Sequence, residues 1–167
     1  MKKILGVTLS LIAVYIVVVF VSAFQRIEKF SMPTSYMEPT ISAGTNVLAD
    51  MKAYDKESPE RFDLVVFLAP DRYFAPQGTE KKKTILCMRV IGLPGEKIEI
   101  KENVVYVNSQ AIELPEALNY TTQGPVTLIN LSLDEYFLLG DNSPISFDSR
   151  YWGSVERENI LGEIIKI

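Results

Sequence analysis

Thr84-Ile85-Leu86-Cys87-Met88-Arg89-Val90-Ile91-Gly92-Leu93-Pro94-Gly95-Glu96 reads as a long strand that runs into a Gly/Pro turn. Apart from Thr84 and Arg89, residues 84–91 are apolar, the stretch is rich in β-branched types, and Gly92, Pro94 and Gly95 end the run. Within a strand, Leu86, Met88 and Val90 share one face while Cys87, Arg89 and Ile91 share the other. Segments of the same kind lie on both sides, at 46–49 and 64–68, then at 97–100, 104–107, 126–129 and 136–139. They are short and separated by Gly, Pro, Asn and Asp. Residues 104–107 and 111–114 flank Asn108-Ser109-Gln110, the spacing of a tight hairpin. Beyond residue 25 no segment shows a sustained helical period, and residues 156–160 offer at most a turn. Residues 25–30 read as a connector. Residues 71–83, with Pro76, Gly78 and the run Glu80-Lys81-Lys82-Lys83, read as an exposed loop. The expectation is a mainly β fold of antiparallel strands.

The 167 residues suit one domain with an appendage. Residues 4–24 carry no charge and are rich in Leu, Ile and Val. At about 1.5 Å per residue they give roughly 30 Å of helix, enough to cross a bilayer. Lys2 and Lys3 precede the run and favour a cytoplasmic N-terminus. Val21-Ser22-Ala23 also fits the cleavage site of a secretory signal, but the apolar run exceeds the roughly 7–15 residues of a signal core. An uncleaved single-pass anchor in the cytoplasmic membrane is therefore expected at residues 1–25. Residues 26–167 then form an extracellular domain, with a small hairpin insertion near 101–130.

The chain has 17 Lys+Arg and 21 Asp+Glu, and two of the lysines precede the span. The outer part is left with 15 against 21, a balance of −6, which gives no reason to seek nucleic acid. One cysteine, Cys87, cannot make an internal disulfide. The chain has no histidine, which excludes Ser-His-Asp and Cys-His triads and disfavours a zinc site. No metal and no cofactor are expected, and any hydrolase built here needs lysine or a carboxylate as its base.

Four blocks follow one another along the outer part. They are Thr34-Ser35-Tyr36-Met37-Glu38-Pro39-Thr40, Arg61-Phe62-Asp63-Leu64-Val65-Val66-Phe67, Met88-Arg89-Val90-Ile91-Gly92-Leu93-Pro94-Gly95-Glu96, and the segment 140–153, Gly-Asp-Asn-Ser-Pro-Ile-Ser-Phe-Asp-Ser-Arg-Tyr-Trp-Gly. Together they resemble the bacterial type I signal peptidases, the S26-like family of membrane-bound Ser–Lys proteases. That resemblance implies an antiparallel β scaffold that takes an extended peptide along a strand edge. In such a dyad the lysine must be a neutral amine, and apolar burial supplies that state by lowering its pKa.

The resemblance places Tyr36 at the nucleophilic serine and Met88 at the general-base lysine. A phenol has a pKa near 10 and reaches well beyond a serine oxygen, and a thioether accepts no proton. Thr34 falls on the oxyanion-hole serine, whose hydroxyl donates to the developing charge. Ser146 falls on the serine that hydrogen-bonds the lysine, and Asp148 and Arg150 on a supporting ion pair. Ser143-Pro144 departs from the family, where an arginine and a polar residue are usual. Tyr36, Met37, Leu86, Met88 and Val90 are the expected walls of a peptide groove. Ser35 is the candidate for a displaced nucleophile, with Lys83 or Lys97 as its base. If residues 34–36 were a strand, Ser35 would point away from the cleft wherever Tyr36 points in. Cys87 reads as a small buried hydrophobe.

The resulting expectation is a catalytically inactive member that binds a secreted protein or extended peptide at the outer membrane face. It resembles signal-peptidase-like proteins of Gram-positive bacteria that assist pilus assembly, which makes pilin-like subunits the expected partners. The alternative is an active signal peptidase that uses Ser35.

Overall fold

The computed structural model describes residues 12–19, 26–74, 83–118, 125 and 127–167. Strands β1 (Ile27–Ser31), β2 (Asn46–Asp50), β3 (Leu64–Leu68) and β4 (Ile85–Gly92) come first, and a one-turn helix α1 (Asp71–Phe74) follows β3. Strands β5 (Lys97–Lys101), β6 (Val104–Val107), β7 (Gln110–Ala111), β8 (Thr127–Asn130) and β9 (Glu135–Leu139) come next. Helix α2 (Ser149–Trp152), β10 (Val155–Glu156), a 3₁₀ turn at Arg157–Asn159 and β11 (Ile160–Lys166) complete the chain. A seven-stranded antiparallel sheet has the order β1-β2-β11-β3-β4-β9-β10, and a four-stranded sheet the order β7-β6-β5-β8.

The period of two along β9 joins the two sheets. Tyr136 and Leu138 enter the larger core, with Val65, Phe67, Met88, Val90 and Trp152. Phe137 and Leu139 enter the smaller one, with Ile91, Ile98, Ile100 and Val105. β4 is covered on both faces and buried over most of its length, which is why it reads as continuously apolar.

Most predicted strands appear within a residue or two of their expected ends. The hairpin turns on Asn108 and Ser109, both at positive φ, with Val107 opposite Gln110. Its second arm stops at Ala111 and does not run to residue 114. Residues 25–30, read as a connector, contain most of β1. This is an edge strand that half-buries only Ile27 and Phe30, so its apolar pattern is faint. β11 was not anticipated either. Gly162 suggests a break, yet it sits where a Cβ would come within 2.5 Å of the Asp50 carbonyl oxygen. The glycine lets β11 pass between β2 and β3 in the middle of the sheet. The turn expected at 156–160 is the 3₁₀ turn, and residues 71–74 of the expected loop are α1. The remainder of that loop up to residue 82 lies outside the described residues, as does most of the expected anchor. Residues 12–19 are helical and exposed, and no helix among the described residues is long and apolar enough to cross a membrane.

Candidate functional site

The segment 33–45 is a chain of turns. The Met32 N–H donates to the Thr45 carbonyl at 2.9 Å, Gly44 N–H to Met32 at 2.7 Å, Glu38 N–H to Ser35 at 3.2 Å and Ile41 N–H to Met37 at 2.8 Å. The strand alternation argued for Ser35 and Tyr36 therefore does not apply. Ser35 and Tyr36 are both half-buried and both carried by Asn142. The Asn142 N–H donates to the Tyr36 carbonyl at 2.8 Å, and its side-chain amide donates to the Ser35 carbonyl at 3.1 Å. The Tyr36 ring packs on the larger core, and burial, followed by Tyr73, raises its phenol above the ordinary pKa. Thr34 is half-buried beside it.

Met88 is wholly buried in the same core, opposite Val65 on β3. Met37, Leu86 and Val90 are buried as well, so the groove wall assigned to these positions is closed in this structure. Every described lysine, from Lys29 to Lys166 and including Lys83 and Lys97, is exposed. Lys97 opens β5 in the second sheet. Burial, and then the Asp141 carboxylate, pushes the Cys87 thiol far up, which leaves it without nucleophilic character.

The segment after β9 is held by buried ionic bonds. Asp148 caps α2 by accepting from the Arg150 N–H at 3.2 Å, and it accepts from the Arg150 guanidinium at 2.8 Å on both oxygens. Arg150 also donates to the Ser143 hydroxyl at 3.0 Å and to the Ser143 and Ser146 carbonyls at 2.8 and 3.3 Å. Ser143, unusual for the family pattern, is thus part of this network. Gly140 N–H donates to Asp148 at 3.2 Å. A Cβ on Gly140 would lie 2.2 Å from the Ser146 Oγ and 2.6 Å from the Tyr36 carbonyl oxygen, so only glycine lets these pieces meet.

Comparison with known proteins agrees with this arrangement. The model of the family described as signal peptidase, peptidase S26, matches residues 5–167. The chain belongs to the signal peptidase family. A probable signal peptidase I-2 of Synechocystis is 35% identical over 136 residues, covering 78% of this chain and 58% of the relative. Signal peptidase I V of Bacillus subtilis is 33% identical over 141 residues, covering 77% of each. The crystal structure of a signal peptidase I from Enterococcus faecalis matches with a TM-score of 0.50 and 27% identity, over 64% of this chain and 97% of that one. The fold is that of this family, mainly β with antiparallel sheets.

Two features of this family member were not read from the sequence. Arg89 and Asp141, quoted within blocks, form a buried bidentate pair at 2.8 and 2.5 Å. Asp141 also accepts from the Thr40 hydroxyl, and Arg89 donates to the Phe62 carbonyl at 2.9 Å. One ion pair thus ties all four blocks together. Its signal was an Arg alternating with apolar residues in a strand, since such a charge is buried only when paired. The second feature is an aromatic series from α1 to α2: Tyr73 to Phe147 at 5.6 Å and Phe147 to Tyr151 at 5.3 Å between ring centroids.

β4 also carries an unpaired strand edge. β3 pairs with β4 from Ile85 to Arg89, whereas β9 pairs with β4 only from Arg89 onward. The bonds Ala69 N–H to Thr84 and Val90 N–H to Asp63 orient the even-numbered residues of β4 toward β3. Alternation leaves the N–H and C=O of Ile85 and Cys87 facing the other way, where no strand among the described residues pairs with them.

Proposed function

We propose that this member of the signal peptidase family holds an extended peptide or a secreted protein without cutting it. The observation that carries the reading is Met88, a wholly buried thioether at the base position, in a chain whose described lysines are all exposed. A Ser–Lys dyad needs an amine stripped of its proton by burial, and no described lysine is buried. Tyr36 at the nucleophile position adds bulk and no activated hydroxyl. Peptide capture needs neither residue. The unpaired edge at Ile85 and Cys87 offers backbone groups for an added strand, and backbone pairing supplies affinity by itself.

The apolar run at 4–24 supports a location of this domain at the outer face of the cytoplasmic membrane, where exported chains emerge. Secreted proteins are then the partner class, and pilin-like subunits, through an accessory role in pilus assembly, the narrower case. Co-purification of the full chain from its own membranes tests that assignment. Recovery of no secreted protein would count against it.

The second reading is an active signal peptidase, which the names of the relatives favour; in this chain it would work through Ser35. Incubation of the full chain with a radiolabelled preprotein separates the two. The holding reading expects no processing by the wild type or by Ser35→Ala. Processing lost in Ser35→Ala establishes the second reading.

A further inference from the structure

Among the described residues one buried side-chain polar atom has no hydrogen-bond partner, the Ser146 Oγ. Ser146 is 2% exposed, and its backbone is satisfied: its N–H donates to the Asn142 carbonyl at 3.0 Å and its carbonyl accepts from Arg150. A buried hydroxyl left unpaired disfavours the unliganded fold. Its position is informative. The Oγ and the Tyr36 carbonyl oxygen lie 2.2 and 2.6 Å from the same point above Gly140. The two oxygens are therefore no more than 4.8 Å apart, the sum of those distances. Tyr36 belongs to a half-exposed turn, and the strand edge at Ile85 and Cys87 is unpaired. The resemblance gives a serine here the task of hydrogen-bonding the lysine, and Met88 has no donor to offer it.

We infer that the Ser146 hydroxyl is a ligand-binding group, whose oxygen accepts from a backbone N–H of the bound peptide when the turn carrying Tyr36 shifts aside. A strand added at the edge presents backbone N–H groups, and the hydroxyl oxygen can accept from one of them. This rests on the peptide-holding reading and adds its polar anchor. With no lysine to serve, the hydroxyl is released for a ligand, and its hydrogen bond is made on binding.

The test uses the full chain in detergent micelles and a fluorescein-labelled octapeptide of alternating alanine and serine. Ser146→Ala is expected to weaken binding roughly threefold to tenfold, the worth of one hydrogen bond. Its melting temperature should equal or exceed that of the wild type, because the hydroxyl has no partner to lose. Replacing single peptide amides by esters should identify one position that weakens binding to the wild type by a similar factor and leaves binding to Ser146→Ala unchanged. Equal affinity of wild type and Ser146→Ala overturns the inference and leaves the holding reading intact. A melting temperature several degrees lower in the variant also overturns it, since the hydroxyl would then be tied in the unliganded fold. No binding of the peptide to the wild type sinks both.

Discussion

Around the candidate site the frame and the centre differ sharply. The frame keeps two buried ion pairs, Arg89–Asp141 and Asp148–Arg150, whose charges are satisfied by one another and by hydroxyl and carbonyl groups. The centre, a few residues away, holds an apolar methionine, a half-buried tyrosine and one hydroxyl without a partner. The frame fixes where the turn at Tyr36, strand β4 and the segment after β9 stand relative to one another. Different residues therefore hold the geometry and line the centre.

The largest loss is expected in the frame. Asp141→Ala leaves the Arg89 guanidinium buried without its carboxylate and removes the acceptor of Thr40. It is expected to cost about 3–5 kcal/mol in chemical denaturation. A loss near zero would mean that the pair does not hold the blocks together. Gly140→Ala sharpens the join between frame and centre. Its Cβ would crowd the Ser146 Oγ and the Tyr36 carbonyl, and the strain is expected to cost about 1–3 kcal/mol.

A smaller effect belongs to β11, where Glu163 lies two strands across the sheet from Met88. Burial first, then the carboxylates of Asp63, Asp50, Glu57 and Glu60, raise the pKa of Glu163 above its ordinary 4.5. An acid with a raised folded-state pKa favours folding when protonated, and that advantage is lost as pH rises through the folded-state value. Glu163→Gln is therefore expected to stabilise the domain at pH 7, by less than about 1 kcal/mol given its partial exposure. The gain should vanish below about pH 4, where the carboxyl is protonated in both states. Thermal melts at the two pH values check the sign.

Much of this was legible in the chain itself. Strands β3, β4, β6 and β9 declare themselves because their alternation or apolar continuity reflects burial on one face or two. β1 and β11 do not, since an edge strand buries little and Gly162 serves a close backbone approach that a local pattern does not encode. Tyr36 and Met88 stand out in the sequence because the family resemblance leads one to expect other residue types there. The Arg89–Asp141 pair joins residues 52 apart in sequence, and nothing local says which acid a buried arginine will meet. The orphan hydroxyl of Ser146 was invisible for a related reason: lack of a partner is a property of the assembled neighbourhood.

Rebuilding the centre asks whether an intact frame surrounds a centre that lacks only its reactive pair. Tyr36→Ser together with Met88→Lys, made in the full chain and assayed on a radiolabelled preprotein, is expected to give processing where the wild type gives none. A double variant that folds as the wild type does and remains inert, or a wild type that already processes the preprotein, would contradict it.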